Sequence, residues 1–437
     1  MNVTEIPSRK VHWGLIFFII ISFCEALWKL SSNPASRIAG YYLYPFGFIC
    51  FFVLSIYYIA RDKLYSLCTN GHIFRVLLYA CFLTVLLLYG FLRGNNTNSL
   101  THEAILLYSL VIFLLLGVDN RRCDFTIKLM TMVFWAAFIL SLLTMNTKVP
   151  IDIFTELSED FIQRKVNSVA YVYFRPFIDL GLPLFICGWL EKTRRWHYLQ
   201  ILSLLGYIVI NVVFFKFRHA LLLAALVVLS SFMMMSDSMR RVKLVSFFLV
   251  VSTLTAVWFF STSEGDWLAK RIKEFDKPNS AVEYRTPEIR YYFNTMGYEW
   301  LWGRGIGGTF YGGRTPRFKI YLREGVHVGW ITFTLKGGLP LLFIMFSFFA
   351  AGIKRNKKIL QSEPFYLMAK YWTPVLFIDW LMDPITLQAT TMPVYGLSFM
   401  LMAQFGKRYI AYKDGQLNSR VSTIGRWNEY RVSLKMH

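Results

Sequence analysis

Apolar runs close to twenty residues long recur along the chain, separated by short polar stretches. About twenty apolar residues make a helix that crosses a bilayer, and the runs predict about twelve such helices. They fall near 11–28, 40–60, 73–92, 102–118, 126–145, 171–190, 199–215, 219–235, 244–260, 328–351, 365–382 and 392–406. No internal repeat and no separate soluble stretch interrupts them, so residues 1–437 read as one membrane domain. The first run, Val11 to Trp28, lacks a small-residue cleavage site and reads as a retained helix. The pattern changes once. From Glu283 to Gly338 the chain is polar, aromatic and rich in arginine and glycine.

Composition supports a membrane class. Hydrophobic residues make up 55% and aromatic residues 18% of the chain, and the mean hydropathy is +0.43. A soluble core needs far less. The net charge of +21 would suggest nucleic acid in a soluble protein. Here one set of loops collects it: Arg61 and Lys63, Arg121 and Arg122, Arg194 and Arg195, Arg240 and Arg241, Lys357 and Lys358. The tail from Lys407 onward is also basic. The positive-inside rule makes this set, both termini and the 407–437 tail cytoplasmic, and leaves no call for a nucleic-acid partner. The six cysteines lie in helices or in these loops, without metal-ligand spacing or a disulfide framework.

The opposite loops are 29–39, 93–101, 146–170, 216–218, 261–327 and 383–391, and most are poor in basic residues. The large loop 261–327 breaks that pattern with Lys270, Arg271, Lys273, Lys277, Arg285, Arg290, Arg304, Arg314, Arg317, Lys319 and Arg323. Long loops cross regardless of charge, so the topology stands, but the excess calls for an anionic ligand. Asp266 to Lys277 sets Leu268, Ile272 and Phe275 on one helical face, as in a helix lying on the membrane or a packing helix. Thr286 and Pro287 resemble a helix start, with the helix running to Trp302 and stopping at Gly303. Arg285 precedes that start, where free N–H groups also favour an anion.

Each candidate has a plain alternative. Gly303, Gly305 and Gly308 spell GxGxxG, but the motif follows a helix and not a strand, which argues against a dinucleotide site. The glycines fit a tight turn with close backbone approach to a ligand or to another helix. His327 stands at the start of an apolar run, either structural or a proton acceptor. Arg218 sits in a very short turn, either snorkelling to headgroups or binding ligand. Arg175 either pairs locally with Asp179 or lines a cavity. Lys336, Lys370 and Asp379 fall inside apolar runs, where a charge needs a partner or a cavity, and Lys370 with Asp379 is one conceivable pair. Signatures of a Ser-His-Asp triad, a P-loop, HExxH or a metal-carboxylate cluster are absent from the sequence.

Three features resemble the O-antigen ligase and polymerase superfamily of bacterial inner-membrane glycosyltransferases. An arginine precedes a G-x-G turn, as Arg285 precedes Gly303, Arg304 and Gly305. A histidine precedes an aliphatic residue and a glycine, as His327 precedes Ile331 and Gly338. Arg218 matches an arginine at the start of an earlier helix. The pattern departs at Val328, where the family often has Asn, Ser or Gln, and near Lys336, where an acidic residue is common.

The resemblance implies an all-α, GT-C-like polytopic enzyme of the inner membrane, with residues 261–327 as a large periplasmic loop. The implied donor is a glycan on undecaprenyl pyrophosphate. The acceptor is a sugar hydroxyl, on a growing glycan for a polymerase or on lipid A-core for a ligase. His327 would handle the hydroxyl proton, and Arg218 and Arg285 would hold the diphosphate, with Arg290, Arg304 and Arg314 as further candidates. No metal or cofactor is implied, because arginine pairs a diphosphate bidentately. Membrane lipids and a chain-length regulator are the implied partners. Tyr291, Tyr292, Tyr298, Trp300 and Trp302 are candidates for stacking on sugars or for packing. The rival classes are a lipid-linked oligosaccharide flippase, which would concentrate polar groups at mid-membrane, and a non-catalytic assembly partner.

Overall fold

The computed structural model describes residues 12–30, 34–95, 97–147, 174–190, 196–214, 218–233, 329–354, 363–382 and 391–408. It also describes residues 292, 294 and 296–307, and scattered helical positions between 242 and 253. Among the described residues the protein is all-helical, without a strand. The helices are α1 (Trp13–Leu30), α2 (Pro34–Arg61), α3 (Asn70–Leu92), α4 (Thr97–Leu116), α5 (Asn120–Thr144), α6 (Arg175–Ile178), α7 (Gly181–Leu190), α8 (His197–Ile208), α9 (Arg218–Met233), α10 (Gly329–Lys354), α11 (Pro364–Met382) and α12 (Met392–Ala403). None of the six cysteines forms a disulfide.

Among the described residues, three segments are long and apolar enough to cross a membrane: Asn70–Leu92, Asn120–Thr144 and Ile331–Ala351. The first shows the physical basis. It buries Val76, Tyr79, Leu83, Leu86 and Gly90, spaced three and four apart as in a packing stripe. Its other faces are apolar too, with Phe74, Leu77, Val85, Leu88 and Phe91 exposed. A helix that is apolar all round, with much of its surface unpacked, suits hydrocarbon and not water.

Most of the elements expected from hydropathy form close to their expected limits, and the expected helix 244–260 lies largely outside the described residues. α2 and α4 start earlier than expected, at Pro34 and Thr97, which shortens the connections 29–39 and 93–101. The expected helix 171–190 is broken into α6 and α7. Pro183 lacks the N–H that would bond Asp179, and Leu182 N takes that carbonyl instead at 3.3 Å. The expected helix 199–215 widens after α8 into a π-helix over Val209–Phe214. Its Asn211 donates to Asp179 Oδ1 at 3.4 Å. Lys370 and Asp379 do not form the pair that their sequence suggested. Both lie on α11, on opposite faces and separated by about 13 Å of helix rise.

α4 packs on α2, α3 and α12, and α7 packs on α8. Glycines set these seams. A Cβ on Gly117 would lie 2.3 Å from the Met400 carbonyl oxygen, and one on Gly181 would lie 2.6 Å from that of Ser203. Close approach through small residues is how helices associate where the hydrophobic effect is absent.

One end of the bundle is cationic and cross-linked. Asp62 accepts from Arg61 at 2.8 Å and also from Arg122. Asp119 caps α5 by accepting from Arg121 N at 3.1 Å, and takes Arg122 Nε at 3.2 Å. Lys407 Nζ donates to Asn120 Oδ1 at 2.8 Å. The other end lies one length of α3 away, about 35 Å. There α3 finishes, α4 begins, and residues 297–307 pack.

Gly117→Ala should therefore overpack the α4–α12 seam at a cost of about 1–3 kcal/mol. Gly71→Ala, whose nearest atom would be Arg75 Nη1 at 3.9 Å, should be neutral or stabilising. Thermal unfolding of the detergent-solubilised variants measures both, and equal midpoints would refute the seam.

Candidate functional site: a glycine turn docked into a broken helix

The expected helix 328–351 is interrupted. Gly338 adopts φ 62° and ψ −161° inside α10, and Pro340 follows. Pro340 has no N–H for the Lys336 carbonyl, and the kink also removes the normal donor to Leu335 O. Both carbonyls are used by the glycine turn. Arg304 N donates to Leu335 O at 2.7 Å, and Gly305 N donates to Lys336 O at 2.9 Å. The next amide, Ile306 N, donates to Leu86 O of α3 at 3.2 Å. Three successive N–H groups thus cross-link two helices.

That geometry needs glycine. Gly303, Gly305 and Gly307 take φ of 77°, 83° and 72°. A Cβ on Gly305 would lie 2.7 Å from the Gly90 backbone, and one on Gly303 would lie 2.6 Å from the Lys336 carbonyl oxygen. A Cβ on Gly338 would lie 2.2 Å from Leu301 O. Of the two approaches open to the turn, ligand or helix, these glycines make the second. The start of the expected helix 287–302 lies outside the described residues; its last part is a 3-10 turn, Gly297–Leu301, and Gly303 N donates to the Glu299 carbonyl at 2.6 Å. Tyr292 and Met296 pack on Ile331 and Leu335 beneath it.

Side chains complete the dock. Asn95 Nδ2 donates to Arg304 O at 3.0 Å and Ile306 O at 2.9 Å. The carboxylate of Glu103, on α4, accepts from Gly307 N at 2.7 Å and from Lys336 Nζ at 2.6 Å. Glu299 bridges two guanidinium groups, with Oε1 to Arg93 and Oε2 to Arg304, each at 2.8 Å. Arg93 also lies over the Tyr89 ring. Burial alone would raise the Glu299 carboxyl, but hydrogen bonds and charge from Arg304 and Arg93 outweigh it and hold it below its usual value. Asn95, Glu103, Glu299 and Arg93 carry no sequence motif. A glutamate near the start of an apolar run facing a lysine inside another was the only available signal.

The structure brings Arg304, Gly303, Gly305 and Gly338 together in this dock. Arg304 is engaged with Glu299 there. Arg175 begins α6, half-buried and away from the turn in sequence, and α6 packs with α5 and the π-helix. Arg218 begins α9, and its side chain lies outside the described residues. Arg285, Arg290, Arg314 and His327 lie outside them as well, as do 266–277 and the tail beyond Arg408. On another face of α3 and α4, an apolar groove of about 610 Å³ is lined by Phe52, Leu88, Phe91, Leu100 and Tyr108.

The sequence matches no protein-family model, and no curated protein matches it.

Two outcomes are expected. Gly305→Ala should destabilise the protein more than Gly94→Ala, because Gly94 also has a positive φ of 73° but no atom within 4 Å of its would-be Cβ. The Gly94 change should cost about 1 kcal/mol. Glu299 has a depressed folded pKa, so its contribution is present above its unfolded pKa and is lost as pH falls through the folded value. Glu299→Gln should then lower the unfolding midpoint at pH 7 and lower it by less at pH 3. A loss of the same size at both pH values would contradict the charge bridge.

Proposed function

We propose that the protein is an inner-membrane glycosyltransferase that polymerises oligosaccharide repeat units carried on undecaprenyl pyrophosphate, working at the periplasmic face. The observation that carries this reading is the anchoring of one segment. Residues 308–328, with Arg314, Arg317, Lys319, Arg323 and His327, leave the docked turn at Gly307 and rejoin the bundle at Gly329. Both anchors sit at the end remote from the Arg61–Asp62–Arg122 cluster. Between those two anchors the sequence carries a cationic stretch and an imidazole, which suits a lipid diphosphate presenting its charge at that end. The apolar groove near α3 and α4 offers a surface that suits a lipid chain.

The chemistry follows from those residue types. The acceptor hydroxyl oxygen attacks the anomeric carbon, and the bond from that carbon to the diphosphate oxygen breaks. The electron pair leaves with the lipid diphosphate, and the hydroxyl proton passes to His327. Arg218 and Arg285 stabilise the charge growing on the leaving group, and Arg290 and Arg314 support them. Arg304 is held by Glu299, so its part is to shape the turn that carries the loop. In this reading the chain crosses the membrane about twelve times, with both termini in the cytoplasm.

His327→Ala and Arg285→Ala should each abolish glycan transfer without loss of expression, a drop of about 100-fold or more. Wild-type turnover of lipid-linked donor by purified His327→Ala would refute the base. Maleimide labelling of single cysteines placed within 261–327 should occur from the periplasm, and labelling only from the cytosol would overturn the reading. Deleting the protein should leave single repeats on the acceptor. Long chains stranded on the carrier lipid would instead make it a ligase acting on lipid A-core.

A further inference from the structure

Glu103 is the one described side chain that bonds both to the exit of the glycine turn and to the kinked helix. One oxygen takes the last turn amide, Gly307 N, at 2.7 Å. The other takes Lys336 Nζ at 2.6 Å. Both side chains are largely buried, at 17% and 7% exposed. Lys336 is also the residue whose carbonyl receives Gly305 N. The carboxylate thus closes a ring through α4, the turn and α10, placed where the chain departs into residues 308–328. Next to it, Leu100 of α4 touches Gly307, and Asn95 holds the carbonyls of Arg304 and Ile306. The α3–α4 hairpin, far away in sequence, is the holder of the turn.

We infer that Glu103 is a positioning residue for the anchored segment. Its carboxylate fixes where residues 308–328 start, and its charge keeps Lys336 in place beside the kink. The link to transfer chemistry rests on the proposed function; the clasp itself does not. Neutralising one member of a buried charge pair is more disruptive than neutralising both, because the ammonium loses its carboxylate partner in low dielectric. Removing the charge from both residues should therefore recover what removing it from Glu103 alone destroys.

The test uses purified full-length protein in detergent, with two readouts. The first is hydrogen exchange of the amides at 304–307. Glu103→Ala should speed it by about tenfold or more, while amides near Thr69 keep their wild-type rates. The second is transfer from lipid-linked donor. Glu103→Gln, which keeps an acceptor for Gly307 N, should lower kcat by about 100-fold with KM changed little, the signature of misplaced groups. Adding Lys336→Met to Glu103→Gln should restore kcat by about tenfold. If the alanine variant does not fold, the glutamine variant and the double variant carry both readouts.

Unchanged exchange in every Glu103 variant overturns the clasp. Accelerated exchange with unchanged kcat overturns the positioning role, and so does a double variant no better than Glu103→Gln. A wild-type protein that performs no transfer, with the exchange contrast intact, overturns the proposed function and leaves the clasp standing.

Discussion

Backbone hydrogen bonding in an apolar setting governs this structure. Every N–H and C=O out of reach of water needs a partner, and an unbroken helix is the simplest supply. α10 breaks that supply at Gly338 and Pro340, and the turn at Gly303–Gly307 makes up the loss with its own amides. The three left-handed glycines exist for this purpose. Any side chain there would push the turn out of reach of Leu335 O, Lys336 O and Leu86 O. The turn therefore ends, at Gly307, hydrogen-bonded to a neighbouring helix.

The same logic governs the charges. A lysine inside an apolar helix is costly alone, and Lys336 meets Glu103 from another helix. Glu103 then has a second oxygen to spend on the turn. Glu299 does likewise for Arg93 and Arg304, drawing together the end of α3 and the turn. At the far end, Asp62 and Asp119 tie Arg122 to the ends of α2 and α4. Acidic residues are few in this chain, 26 against 47 lysines and arginines, and Asp62, Glu103 and Glu299 serve as joints between elements.

This arrangement changes the weight of individual candidates. Arg304 stood beside Arg290 and Arg314 as a cation available to an anion, and its carboxylate partner gives it a place in the scaffold. Gly338 stood as part of a motif with His327, and its positive φ and close approach to Leu301 O give it a structural task in the dock. The resemblance to polysaccharide polymerases and ligases rests in large part on Arg218, Arg285 and His327, whose side chains lie outside the described residues, while the dock itself is explained by packing and hydrogen bonding alone.

Hydropathy by itself determined an all-helical bundle and the limits of most helices, since an apolar run long enough to cross hydrocarbon has few other options. The turn at the alternating glycines was also legible, whereas hydropathy alone ran unbroken helices through Pro183 and Pro340. What occupied the glycines' free space was not legible, because helix and ligand make the same demand for a missing Cβ. Tertiary structure decided that. It also decided that Glu103, two hundred residues from the turn, holds Gly307 and Lys336, and that Lys370 and Asp379 stay apart on one helix. Pairings between distant helices depend on which faces meet, and a one-dimensional pattern of polarity does not specify that choice.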